Sequence, residues 1–214
     1  MLDSITWGNP LQKHLPYLQE NQNYLDKLAP QLIKFSFPKN SSKATREELN
    51  QLVDYIDEIK KDEDTLKRYR AYDANLLRVF AQVVVEQDLG DKGAELIDKV
   101  FDDVKPLLIK LKFHFQRPRP GQLAQYYKLK LFPFQSQSDS SPSYPSGHAL
   151  QAKLACYVLG NHFPDKFDYF EKLAKDVEYS RIYLGVHYPS DIDYSLYIAE
   201  TIIRDKEFKH RYSL

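Results

Sequence analysis

The sequence predicts an all-α protein, a single-domain helical bundle. Apolar residues recur at three- and four-residue intervals over long stretches, only 7 of 214 residues are glycine, and no run of Val, Ile and Thr alternates with polar residues. At this length one sizeable core is enclosed, and no Gly/Ser-rich linker divides the chain.

Residues 1–44, with Pro10, Pro16, Pro30 and Pro38, read as a helix-poor wrap, and residues 45–214 as the helical domain. Thr45-Arg46-Glu47-Glu48 resembles a capping box, and Leu49, Leu52, Val53, Ile56 and Ile59 follow at helical intervals. The charged run from Asp57 to Arg70 offers Asp57/Lys61, Glu63/Lys67 and Asp64/Arg68, each pair one helical turn apart, as on a solvated face. Leu66, Tyr69, Leu76, Leu77, Phe80, Val83 and Val84 mark a second long helix that closes near Gly90. A third is expected over about 92–117, striped by Leu96, Ile97, Val100, Phe101, Val104, Leu107, Leu108 and Leu111 and bent at Pro106.

Pro118, Pro120, Pro133 and Pro142 with a Ser/Gln tract make 118–143 mostly loop. Its Tyr126, Tyr127, Phe132 and Phe134 either rim a pocket or pack beneath the loop. Helices at about 147–162, 165–184 and 189–205 complete the bundle.

Formal net charge is zero, which argues against a nucleic-acid surface. Cys156 is the only cysteine, so no intrachain disulfide forms and a reducing compartment suits the chain. No apolar stretch approaches the ~20 residues of a membrane span. The opening Met1-Leu2-Asp3-Ser4-Ile5-Thr6-Trp7 begins no signal peptide, so a cytoplasmic location is expected, or a periplasmic one if a leader has been removed. Cys/His metal-ligand spacing is lacking, so no metal is expected. Oligomeric state is left open, a homodimer included.

Three clusters carry chemistry. Lys110 precedes Arg117-Pro118 by two helical turns, so both cations can reach one anion from a common face, with Pro118 ending the helix at Arg117. Pro145-Ser146-Gly147-His148 leads into a helix-forming run. Such a start offers the Gly147 amide and the Ser146 hydroxyl to an anion, with His148 above as proton donor to a leaving group. Behind Ser180-Arg181 stand His187 and Asp191, four residues apart, where a carboxylate can fix the imidazole tautomer and leave the other nitrogen to attack phosphorus. Arg181 is the third cation. His14, His114, His162 and His210 lack motif partners and read as surface or packing residues, with His114 a candidate for the pocket mouth.

The pattern Lys-x6-Arg-Pro, Pro-Ser-Gly-His, Ser-Arg-x5-His-x3-Asp resembles that of the type 2 phosphatidic acid phosphatase superfamily, which includes bacterial class A acid phosphatases and vanadium-dependent haloperoxidases. The match runs from Lys110 to Asp193, and its longer segments resemble the soluble acid phosphatases more than the lipid enzymes. The resemblance implies that Lys110, Arg117, Ser146, Gly147 and Arg181 bind phosphate, that His148 is the general acid, His187 the nucleophile and Asp191 its orienting partner. It implies a soluble, vanadate-sensitive phosphatase that acts on a small phosphorylated substrate through a phosphohistidine, without a metal. The alternative is a haloperoxidase with vanadate as cofactor on His187. Such enzymes are generally much longer, which favours the phosphatase. A phosphate-binding module without turnover would not need the His148, His187 and Asp191 set.

Overall fold

The computed structural model describes residues 2–18 and 23–214. Met1 and the part of the N-terminal wrap at 19–22 lie outside the described residues, which form ten α-helices and no strand. The helices are α1 (Ala29–Leu32), α2 (Lys43–Ile59), α3 (Glu63–Ala74), α4 (Leu76–Glu86), α5 (Gly90–Phe115), α6 (Pro120–Ala124), α7 (Gly147–His162), α8 (Phe167–Tyr183), α9 (Pro189–Arg204) and α10 (Lys206–Arg211).

Two boundaries differ from the sequence reading. α2 starts earlier, because Ser42 and not Thr45 is its cap: the Ser42 hydroxyl accepts from the Thr45 amide at 3.1 Å. The Thr45 hydroxyl turns back to donate to the Lys39 carbonyl at 2.9 Å. The second long helix is two helices, since Asn75 is extended (φ −163°) and its side chain accepts from the Arg78 amide to start α4 afresh. Arg68 also leaves its own helix face and pairs with Asp176 of α8 at 2.8 Å.

α7 is buried nearly all round, through Ala149, Leu150, Ala152, Leu154, Ala155, Cys156, Val158 and Leu159. A helix apolar on every side belongs in the interior, and α7 packs on α8, α5 and α9. Each fully buried Leu or Val here contributes roughly 1.5–3 kcal/mol relative to exposure. The first forty residues join this core through Leu25, Leu28 and Leu32, while the 3₁₀ turn Gln12–Leu18 lies against α5. A second cluster, Leu49, Leu52 and Ile56 of α2 with Leu123, Leu131 and Tyr188, anchors α2 beside the start of α9. The C-terminal end of α5 and the N-terminal ends of α7 and α9 are thereby brought together.

Candidate active site

Lys112, Arg119, Ser138, Ser141, Gly147, His148 and His187 line one cavity of about 280 Å³. Its outer wall is Leu77, Phe101, Leu108 and Ile109, with Asp102, Lys105 and Gln151.

The placement of His187 follows from a turn. After α8 ends, Gly185 takes φ +70° and the Arg181 carbonyl accepts from the amides of both Val186 and His187 at 3.2 Å. A left-handed conformation favours glycine, and a Cβ at Gly185 would sit 2.5 Å from Ile56 Cδ1. The x5 spacing between Arg181 and His187 is thus the length of one helix end plus one reversal.

Asp191 lies in the first turn of α9, fully buried. Its Oδ2 accepts from His187 Nδ1 at 3.0 Å, the Ser143 hydroxyl at 2.5 Å and the Tyr188 amide at 3.0 Å, and Oδ1 accepts from Arg117 Nη1 at 2.6 Å. On the other edge of the ring, Arg119 Nη1 donates to His187 Nε2 at 2.9 Å. A carboxylate only accepts and a guanidinium only donates, so the proton sits on Nδ1 and the Nε2 lone pair is the acceptor for Arg119, in a ring that lines the cavity. Arg117 holds Asp191 well below the usual carboxylate range despite burial. Burial, with Arg119 and Lys112 nearby, pushes the His187 imidazole well below its ordinary value, against the pull of Asp191.

Three buried cations belong to this region, Arg119 and Lys112 acting on His187 and Arg181 acting on His148. Lys112 Nζ donates to the Pro142 carbonyl at 2.7 Å. Arg119 is held by backbone, Nε on the Ser141 carbonyl at 2.9 Å and Nη1 on the Val186 carbonyl at 2.8 Å. Arg181 Nη2 donates to Asp73 Oδ1 at 2.7 Å and the Ser138 hydroxyl at 2.9 Å, whereas its buried Nε and Nη1 meet no acceptor among the described residues. Burial lowers all three, with like-charge repulsion added at Lys112 and Arg119: Lys112 falls well below its ordinary value, and Arg119 is pushed down to about 10. Buried donors crowded by like charge make an anion site.

Ser146, fully buried, caps α7, its hydroxyl accepting from the Ala149 amide at 3.4 Å, and its own amide donates to Ser195 Oγ at 2.8 Å. Gly147 reaches the cavity wall, and a Cβ there would meet Leu108 at 3.0 Å and Lys112 Cε at 3.8 Å. His148 is half-buried and lines the same cavity. Burial, then Arg181, holds its imidazole well below the ordinary value, although its exposed edge lets water screen that repulsion more than at His187.

The structure corrects the first cluster. Lys110 points away from the cavity and pairs with Asp26 at 2.6 Å. Arg117 lies behind the site, with Nη1 on Asp191 and on Ser190 Oγ at 2.8 Å and Nη2 on Glu48 Oε2 at 2.9 Å. Two residues on a helix turn it by about 200°, so Lys112 takes the face that Lys110 leaves. The signal was in the sequence, because Lys-x6-Arg-Pro occurs twice in overlapping registers, as Lys110/Arg117/Pro118 and Lys112/Arg119/Pro120.

Asp73, Ser138, Ser143 and Glu48 are not among the expected site residues, and Glu48 reads from sequence only as part of a helix start. Of the two alternatives for the loop aromatics, packing describes Phe134, which lies against both cores, and Tyr127, which packs on the second and donates to the Asn40 carbonyl, while Tyr126 and Phe132 are exposed. His114 stacks edge-on with Phe115 away from the cavity, and His14 is buried against Phe113.

Residues 104–204 match the model of the PAP2 superfamily. A search of curated protein sequences returns no significant match. Among solved structures, a bacterial vanadium-dependent iodoperoxidase is similar at TM-score 0.64 and 18% identity, over 83% of this chain and 51% of that one. The chain therefore spans about half the length of that relative. A transmembrane PAP2-type phosphatidylglycerolphosphate phosphatase from Bacillus subtilis is similar at TM-score 0.55 and 20% identity, over 94% of this chain and 98% of that one. No helix among the described residues is long and apolar enough to cross a membrane.

Proposed function

With residues 104–204 forming a PAP2 superfamily domain, we propose that the chain is a phosphatase that hydrolyses phosphomonoesters through a phosphohistidine on His187. The observation that carries this reading is the unprotonated His187 Nε2 on the wall of a cavity beside Lys112, Arg119 and His148, hydrogen-bonded by Arg119 while Nδ1–H is tied to Asp191. A bound phosphate would take over that Arg119 N–H and free the lone pair. Nε2 attacks phosphorus, the bond from phosphorus to the ester oxygen breaks, and His148 gives its proton to that oxygen. Water then attacks the phosphohistidine as His148 takes its proton, and the P–N bond breaks. Lys112, Arg119, the unpaired edge of Arg181 and the Gly147 amide stabilise the charge on the transferring group.

The test is turnover of a panel of phosphomonoesters with a chelator present, together with an alkaline denaturing quench of enzyme mixed with labelled substrate. Label on His187, acid-labile and kinetically competent, is expected. Turnover that stops with chelator and returns with one divalent ion would overturn the metal-free mechanism.

The iodoperoxidase likeness supports a second reading, with vanadate as cofactor. The same donors fit it: Lys112, Arg119 and Arg181 for its oxygens and His187 Nε2 for the metal. Bound there, vanadate would supply peroxide activation for halide oxidation. Halide-dependent peroxidase activity after vanadate loading, in place of inhibited phosphatase activity, would favour that reading.

A further inference from the structure

Arg117 is one of the most deeply buried charges in the chain, fully inaccessible, and its surroundings account for it. Nη1 holds Asp191 Oδ1 at 2.6 Å and Nη2 holds Glu48 Oε2 at 2.9 Å. Glu48 Oε1 in turn accepts the Ser190 amide at 2.7 Å, at the start of α9. The guanidinium lies over the Tyr188 ring at 3.8 Å from its centroid and near Phe37 at 5.1 Å, so it is fixed in plane as well as in charge. The chain of contacts is linear: His187, Asp191, Arg117, Glu48.

We propose that Arg117, braced by Glu48, is a positioning residue that holds the Asp191 carboxylate in place and, through it, the ring of His187. A lone buried carboxylate beside His187 would favour the imidazolium, whose Nε2 has no lone pair for attack. With Arg117 on its other oxygen, the same carboxylate orients the ring at less cost to the neutral form. Glu48 tempers Arg117 in the same way from behind.

The other groups acting on His187 are Arg119 and Lys112 on the cavity side. Beyond them stand the Arg181–Asp73 pair, and His148 at the start of α7. Tyr188, facing Arg117, stays neutral because burial raises its phenol.

The kinetic part of the test rests on the phosphatase reading, whereas the titration part does not. In Arg117→Gln, the acid limb of the kcat profile is expected to move up by about one pH unit, the scale set by one charge a few ångströms away. kcat should fall tenfold or more, with vanadate affinity within about threefold of wild type. In Glu48→Gln, which keeps the hydrogen-bonding shape, the limb should move the opposite way.

Histidine NMR titration of ¹⁵N-labelled protein, assigned with His187→Gln, reads the same shift in Arg117→Gln without turnover. Should wild type fail to hydrolyse any monoester, the phosphatase reading falls and the NMR shift still decides this one. A vanadate affinity loss above tenfold at unchanged kcat would return Arg117 to the anion site and overturn the proposal. So would a rate loss in both variants with no movement of either titration. If Arg117→Gln does not fold, the direction of the Glu48→Gln shift decides.

Discussion

Two Lys/Arg pairs of identical spacing and sequence pattern sit two residues apart on the same helix end and do different work. Lys112 and Arg119 face the cavity, and carbonyl oxygens fix them while their charge is left for a ligand. Lys110 and Arg117 face carboxylates, Asp26 for one and Asp191 with Glu48 for the other. The difference shows what makes a buried cation a ligand-binding group. At these two pairs a carbonyl orients the cation without cancelling its charge, whereas a carboxylate neutralises it; Arg181 falls between, with one nitrogen on Asp73 and two without an acceptor among the described residues.

The sharpest test concerns His187, which Arg119 meets directly at Nε2 and Arg117 reaches only through Asp191. His187→Ala is expected to lower kcat by about 10⁴-fold or more, since the covalent route is lost. Vanadate should still bind, more weakly, through Lys112, Arg119 and Arg181, as isothermal titration would report. Retained turnover in the purified variant would remove His187 as nucleophile.

Next in size, Lys112→Ala and Arg119→Ala should each cost on the order of 10²–10³ in kcat/KM, the usual loss for one transition-state donor. Lys110→Ala should cost less than about threefold. Equal losses at 110 and 112 would break the comparison.

A third test uses pH. His148 is held below its ordinary value of about 6.5 in the free protein, so kcat/KM should climb roughly tenfold per unit as pH falls through neutrality. It should turn over only where His187, also lowered, takes a proton. Arg119→Ala removes a cation from His187 and should move that acid limb upward, while Lys110→Ala should leave it in place. A kcat/KM optimum above neutrality would contradict both histidine directions.

The smallest effects are on stability. Both histidines carry lowered values in the folded state, so below about 6.5 the unfolded chain binds more protons and folding weakens. Asp73 and Asp191, lowered by Arg181 and Arg117, add their loss as pH falls below about 4 toward their own lower values. Inorganic phosphate should raise Tm by a few degrees in wild type, and clearly less in Lys112→Ala. Lys110→Ala should lower stability by about 1 kcal/mol and keep the full phosphate response.

The bundle was legible because each long helix carries its own stripe, and α7, α8 and α9 were placed within two residues of their observed ends. The break at Asn75 was not legible. Apolar residues run across it in helical phase, and only the cap between the Asn75 side chain and the Arg78 amide separates the two helices. Within the candidate site, short-range spacing singled out Gly147, His148, His187 and Asp191; the first three line one cavity, and His187 and Asp191 meet as expected. The register of the first cluster failed because spacing alone is the same for both copies. What distinguishes them is the direction each side chain leaves α5, which depends on α7 packing beside Lys112 and the N-terminal segment lying beside Lys110. Asp73, Glu48 and Ser143 reach their partners over 108, 69 and 48 residues, distances at which local pattern carries no information.

The backbone grip on Arg119 also bears on how this site can diverge. Its Nε and Nη1 rest on the carbonyls of Ser141 and Val186, groups that every amino acid supplies. Side chains at those two loop positions can therefore be exchanged through mutation without unmooring the guanidinium, so long as the loop paths persist. Variation in the side chains of these loops is thereby insulated from the backbone grip on Arg119.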